Sequence, residues 1–244
     1  MSCKAEPAQE DPFVTTIATR LLLVALSMLA LAASRADAAR PPNVVFFLAD
    51  DLGWSDTTLY GKTSFYETPN IERLAKEGVR FSQAYAACHV CSPTRASIMS
   101  GKYPARLHLT DWLSGRRNFS FQKLLNAQIH QRLPLKELTL AEALKKHGYA
   151  TGHFGKWHLG EDPAGPLQQG FDVQVPRWNK GWPRAGYHAP FRLNGLKDSK
   201  GDYLTDRLNE EALAFIDRNK DRPFFLYLSH FSVHDPIQGR ADLV

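Results

Sequence analysis

The run VVFFLA at residues 44–49, followed at once by Asp50-Asp51, decides the fold class. It is continuously apolar rather than alternating, the pattern of a strand covered on both faces in a parallel sheet. Working outward, Thr68 is placed to cap a helix with Pro69 at its first position, and Ile71, Leu74 and Ala75 supply its apolar stripe. Gly78 is expected to end that helix with a positive backbone angle, and residues 79–85 read as a short strand. Ser92-Pro93 repeats the cap-then-proline pattern and predicts a helix up to Gly101, which places Cys91 immediately before its N-terminus. Thr139 and Glu142 form a capping-box pattern ahead of Leu140, Ala143 and Leu144, with Gly148 ending the helix and residues 149–154 returning as a strand. Leu204, Leu208, Ala212 and Phe215 or Ile216 recur at helical spacing, and PFFLYLS at 223–229 is again a strand. Strand and helix alternate, so the expected fold is α/β, a mostly parallel sheet flanked by helices, with binding residues gathered at the strand C-termini. Residues 106–134 and 176–201 read as long surface excursions, which serve either as substrate walls and lids or as padding.

With 244 residues and 43% hydrophobic content the chain has ample material for one core, and three cysteines are too few for a disulfide scaffold. The net charge of +5 is scattered with no long Lys/Arg block, which argues against a nucleic-acid partner. At the front, Arg20 precedes LLLVALSMLALAA (residues 21–33), a run shorter than the roughly 20 residues of a membrane-spanning helix. Ala36 and Ala38 then offer an A-x-A-like processing site. Residues 1–38 are therefore read as a signal peptide, and residues 39–244 as an exported domain, periplasmic or extracellular, with no stable membrane association after cleavage.

Three places can carry chemistry. Asp50-Asp51, where a buried strand emerges, suits a hard divalent cation, although an Asp capping the next turn explains the same pair. Cys91 stands at a helix N-terminus whose free N–H groups favour an anion, and Arg95 can return from the first turn toward the same place. A thiolate catalyst, a redox pair with Cys88 across CHVC, and a structural cysteine all fit that segment. Trp178, Trp182, Tyr187 and His188, with Arg177, Lys180 and Arg184, form an aromatic and cationic cluster that could stack a sugar ring, or simply a folded surface loop.

The segment Cys91-Ser92-Pro93-Thr94-Arg95, followed by Ala96-Ser97-Ile98-Met99-Ser100-Gly101-Lys102, resembles the signature of the type I sulfatases, in which the Cys of C-x-P-x-R is oxidised by a maturation enzyme to formylglycine. The resemblance continues through Pro42-Asn43 to Asp50-Asp51-Leu52-Gly53-Trp54, through Thr68-Pro69-Asn70-Ile71, through Gly152-His153-Phe154-Gly155-Lys156-Trp157-His158-Leu159-Gly160, and through residues 223–236. It implies an alkaline-phosphatase-like α/β fold, incomplete at the C-terminus, with residues 39–244 forming the N-terminal part of a sulfatase catalytic domain. By the same resemblance Asp50 and Asp51 are calcium ligands, and modified Cys91 is both a metal ligand and the nucleophile. Arg95 steadies the formylglycine and the sulfate, while Lys156, His158 and His234 bind substrate and assist catalysis. His230 is a further candidate beside His234, and His89 is a loop residue. The family usually reads His-Thr-Pro where this chain has His234-Asp235-Pro236, so the Asp235 carboxylate either holds His234 or repels an anionic ester.

The implied reaction is hydrolysis of a sulfate ester of a small molecule or saccharide, and the implied partner is a formylglycine-generating maturation enzyme. The alternatives are a truncated or inactive sulfatase-like protein, since the family's later metal ligands and second substrate lysine have no counterpart before Val244, or a related phosphatase.

Overall fold

The computed structural model describes residues 40–61 and 63–244; the signal peptide expected at 1–38 lies outside the described residues. Among the described residues the apolar, aromatic and β-branched runs form four strands: β1 (Val44–Leu48), β2 (Ala150–Gly155), β3 (Val173–Val175) and β4 (Phe224–Ser229). Their order is β1-β4-β2-β3 and every pairing is parallel. Leu48 and Gly155 both pair with Ser229, so the C-terminal ends of three strands finish level with one another.

Among the described residues four α-helices accompany the sheet: α1 (Pro69–Glu77), α2 (Cys91–Ser100), α3 (Leu140–Lys146) and α4 (Leu204–Asn219). Helix α2 stops at Gly101, in the left-handed region with φ 67°, whose N–H donates to the Ser97 carbonyl at 2.8 Å. The capping box of α3 forms as the sequence predicts: the Glu142 N–H donates to Thr139 Oγ1 at 3.1 Å and the Thr139 N–H to Glu142 Oε2 at 2.8 Å. Helix α4 buries Leu204, Leu208, Ala212 and Phe215, the stripe read from its periodicity.

The side chains of β4 alternate between two cores. Phe225 and Tyr227 pack with Ala96 and Met99 of α2, Ala141 of α3, Trp157 and Phe171. Phe224, Leu226 and Leu228 pack with Phe154 of β2 and with Ala212 and Phe215 of α4. The central strand is thus covered on both faces, and each large apolar side chain buried there contributes about 1.5–3 kcal/mol. The fold is the expected α/β arrangement, a parallel sheet flanked by helices. Among the described residues no helix is long and apolar enough to cross a membrane.

Several details differ from the sequence reading. Strand β1 is covered on one face only: it lies at the sheet edge beyond the reach of α4, leaving Val45 and Phe47 exposed. Residues 79–85 form no strand, because no neighbouring strand offers hydrogen bonds, and Val79, Phe81 and Tyr85 are exposed. Gly78 ends α1 at φ −132°, not at a positive angle, and Thr68 spends its hydroxyl on Thr58, whose N–H donates to it at 2.9 Å, instead of capping the helix. Cys91 lies in the first turn of α2 with Val90 as the cap position. The short strand β3, which periodicity over three residues cannot reveal, is anchored by Asp172: its carboxylate accepts from the Thr151 N–H at 2.9 Å and its N–H donates to Thr151 Oγ1 at 3.0 Å.

Candidate active site

The level ends of β1, β4 and β2 deliver Asp50, Ser229 and Lys156 to one place. Main-chain bonds tie the loops beyond them: the Asp50 N–H donates to the Ser232 carbonyl at 2.8 Å, the Val233 N–H to the Asp50 carbonyl at 2.6 Å, and the Lys156 N–H to the Ser229 carbonyl at 2.7 Å. Gly155 makes the last contact possible. It adopts φ +108°, and a Cβ there would stand 1.9 Å from the Ser229 carbonyl oxygen.

Four of the five positions of the Cys91–Arg95 signature then have a definable side-chain contact. Cys91 Sγ lies 3.1 Å from Nδ1 of His158. The Ser92 hydroxyl accepts from the Leu113 N–H at 3.1 Å. Thr94 Oγ1 accepts from the Cys88 N–H at 3.1 Å and donates to the Cys88 carbonyl at 2.8 Å, pinning the chain that enters the helix. Arg95, fully buried, reaches back across the sheet end and donates to Asp50 Oδ1 at 2.9 Å, to the Lys156 carbonyl at 2.8 Å and to the Ser229 hydroxyl. Its Nε–H is buried with no acceptor, a spare donor at the centre of the site.

Electrostatics follow from this geometry. Both oxygens of Asp50 are engaged, one by Arg95 and the other by Lys156 Nζ. Burial pushes the Asp50 carboxyl up, but the two adjacent cations outweigh burial and hold it below the usual carboxylate value. Burial and then Arg95 push the Lys156 ammonium down, with Asp50 opposing them. Two cations against one carboxylate leave the cluster with one excess positive charge, suited to an anionic ligand.

His158 is held from three sides. Its backbone takes φ 54°, unusual for a residue with a Cβ. Its Nε2 lies 2.7 Å from the Leu113 carbonyl, and a carbonyl only accepts, so Nε2 carries the proton and the Nδ1 lone pair faces Cys91. Gly181 lies flat against the imidazole, where a Cβ would stand 2.4 Å from Cε1. Burial, then Lys156, push the imidazole down to about 4, so it is neutral near pH 7.

The other histidines divide differently. His234 Nδ1 donates to the Asp235 main-chain carbonyl at 2.7 Å, and Nε2 lies 3.9 Å from Asp51 Oδ2. The main chain of Asp235, and not its carboxylate, therefore orients this ring. Tyr187 adds a brace by donating its hydroxyl to the His234 carbonyl at 2.9 Å. His230 is not aimed at this cluster: it is buried against the Phe47 ring at 4.9 Å between centroids, and neither ring nitrogen has a hydrogen-bond partner. His89 is exposed, 3.8 Å from Cys88 Sγ, and Cys88 and Cys91 are both free thiols.

A family model described as Sulfatase matches residues 42–243. The chain belongs to the sulfatase family. It is 36% identical to N-acetylgalactosamine-6-sulfatase of Canis lupus familiaris over 249 residues, covering 93% of this chain and 45% of that protein. It is 42% identical to arylsulfatase A of Homo sapiens over 238 residues, covering 86% of this chain and 44% of that protein. Among solved structures, Ps i-CgsB in complex with k-i-k-neocarrahexaose superimposes with a TM-score of 0.65 at 30% identity, covering 82% of this chain and 47% of that one. A protein in complex with D-glucosamine-2-N,6-O-disulfate superimposes with a TM-score of 0.62 at 28% identity, covering 80% of this chain and 35% of that one. The chain thus spans less than half the length of these relatives. The alkaline-phosphatase-like fold expected of a type I sulfatase is the one observed.

The candidate metal ligands are Asp50, Asp51 and His234, whose ligand atoms all lie within 4.8 Å of one another, the one such group among the described residues. Two carboxylates at a strand end are the hard oxygen donors that calcium takes, and the buried Asp50 is already fixed in orientation by Arg95 and Lys156, so the pair fits such an ion. A calcium shell takes about 6–8 oxygens, so these carboxylates form part of it. The imidazole of His234 is a softer donor and suits a ligand contact better. Cys91, expected as a further metal ligand, is not a member of this group and faces His158 instead.

The aromatic and cationic cluster of 176–201 does not come together as one platform. Tyr187 is buried, and Trp178 stacks under Arg184 at 5.7 Å while donating to the Trp182 carbonyl at 2.6 Å. Lys180 and Trp182 line a cleft of about 950 Å³ that opens onto His158. Sequence reasoning did not single out Ser229, the Leu113 carbonyl or Gly181. Ser229 carries a faint signal as the polar residue closing an apolar strand, whereas the other two act through backbone shape and leave no side-chain signature.

Proposed function

We propose that the chain carries the nucleophile-bearing site of an enzyme that hydrolyses sulfate esters of small molecules or saccharides to the alcohol and inorganic sulfate. The observation that supports this most is the 3.1 Å approach of Cys91 Sγ to the unprotonated Nδ1 of His158, beside the buried Arg95 and Lys156. Formylglycine made from Cys91 supplies the attacking oxygen, and calcium at Asp50 and Asp51 supplies positive charge. His158 Nδ1 is the base at position 91, held to that task by the Leu113 carbonyl on Nε2. Arg95 and Lys156 together place excess positive charge where the sulfate oxygens gather charge in the transition state, in a site shielded from water. His234 presents Nε2 to the ester, its Nδ1 proton committed to the Asp235 carbonyl. The apolar run and small residues of 1–38 support export to the periplasm or exterior, and the C-x-P-x-R signature supports a maturation enzyme as a partner.

The test is turnover by the full chain, co-expressed with a formylglycine-generating enzyme and supplied with calcium, on paired aryl sulfate and aryl phosphate esters. Faster sulfate release, abolished by Cys91→Ala, is the expected result. Faster phosphate release would establish the phosphatase alternative, and no release of either would favour an inactive relative.

A further inference from the structure

The cleft that opens onto His158 carries charge and aromatic surface that hydrolysis of a lone sulfate group does not require. Its volume of about 950 Å³ stands at the upper end of small-molecule sites, which run about 300–1,000 Å³. Trp112 and Trp182, 36% and 47% exposed, come from the two excursions and offer indole surface to it. Three cations line it: Lys180 is spent on Glu161, whereas Arg132 and Lys136 are exposed and have no carboxylate partner among the described residues. Asp162 is the remaining acid, so the lining keeps one excess positive charge once the Lys180–Glu161 pair cancels. The neutral His158 forms the connection to Cys91, so a molecule filling the cleft has its reacting end at His158.

Resting on the sulfate-ester reading above, we propose that this cleft selects an acidic saccharide: a sugar ring lies against Trp112 and Trp182, and a second anionic substituent, beyond the reacting sulfate, is held by Arg132 and Lys136. Guanidinium and ammonium groups without carboxylate partners bind a sulfate or a carboxylate without first breaking an ion pair. Indole surface supplies the apolar contact that a pyranose ring accepts.

The experiment is calorimetric binding to the full chain, with aryl sulfate turnover followed separately. The probes are a disulfated hexosamine disaccharide, its monosulfated counterpart, a monosulfated disaccharide carrying a uronic acid, and a simple aryl sulfate. The double variant Arg132→Ala/Lys136→Ala should weaken the disulfated probe about a hundredfold, the loss of two charge-assisted contacts, and leave the monosulfated probe and aryl sulfate turnover unchanged. Trp182→Ala should weaken every saccharide and leave the aryl sulfate alone. The uronic acid arm shows whether a carboxylate replaces the second sulfate: sensitivity of that probe to the double variant assigns either anion to the subsite, and sensitivity of the disulfated probe alone assigns sulfate. Equal affinity of the double variant and the native chain for both doubly anionic probes overturns the proposal. Absence of aryl sulfate turnover, with charge-dependent saccharide binding retained, overturns the hydrolase reading and not the subsite.

Discussion

Asp50 and Asp51 are adjacent in sequence and opposite in circumstance. Asp50 is buried, with both oxygens locked by Arg95 and Lys156, whereas Asp51 has a side chain 60% exposed and lies 3.9 Å from His234. The same division runs through the whole site. One half, made of Asp50, Arg95, Lys156 and Ser229, is built into the ends of the strands and is inseparable from folding. The other half, made of Asp51, His234, the buried His158 and the cleft that opens onto it, is positioned by loops. The charged chemistry in the first half is therefore pre-organised, and Asp50 joins it to Asp51 and His234 of the second half.

The largest expected effect breaks the buried half. Arg95→Met leaves Asp50 Oδ1, the Lys156 carbonyl and the Ser229 hydroxyl without their shared buried donor, and should lower unfolding free energy by about 3–5 kcal/mol in urea titration. An unchanged midpoint would show that the buried group is not structural. Next is Gly155→Ala, which places a Cβ against the Ser229 carbonyl in a positive-φ conformation and should cost about 3 kcal/mol by the same measurement.

Acid should act on the buried side as well. Burial pushes His153 down to about 3 and His230 down to about 4, while both would titrate near 6.5 in the unfolded chain. Between those values the unfolded state binds more protons, so stability is full above pH 6.5 and falls as pH drops toward 4. The loss is about 1.4 kcal/mol per pH unit for each histidine across most of that window. Urea midpoints taken from pH 7 to 5 should show this slope, and His230→Phe should reduce it. A flat profile would show that these rings are not buried neutral.

Much of this was legible in the sequence. The runs at 44–49 and 223–229, the capping box at Thr139 and the stripe of α4 are local patterns, and they form because local propensity and burial agree. The reading failed where hydrogen-bond partners are remote. Residues 79–85 have strand composition but no neighbouring strand, and β3 exists because Thr151 binds Asp172 across the sheet. In the site, Cys91 and Arg95 were legible from the helix N-terminus, whereas Lys156 and His158 were legible only through the family resemblance, since by themselves they read as surface residues and both are buried. Asp50 as an ion-pair hub was not legible, nor was the hold on His158 by a carbonyl 45 residues away and by Gly181.

The smaller expected effects sharpen the half positioned by loops. Gly181→Ala should displace the His158 ring and lower aryl sulfate turnover about tenfold, a loss of roughly 1.4 kcal/mol in transition-state stabilisation, with the urea midpoint nearly unchanged. A matching loss of stability would move Gly181 into the structural half. Smallest in stability is Asp51→Asn, expected within about 0.5 kcal/mol of the native chain because the side chain is exposed. It should nonetheless raise the calcium concentration needed for turnover, and an unchanged calcium requirement would remove Asp51 from the metal site.

The central claim, that Cys91 is the precursor of the nucleophile facing His158, is tested most directly by the mass of the peptide containing residue 91 after co-expression with a formylglycine-generating enzyme. An aldehyde is expected at position 91. An unmodified thiol, or a reducible cross-link between Cys88 and Cys91, would contradict it.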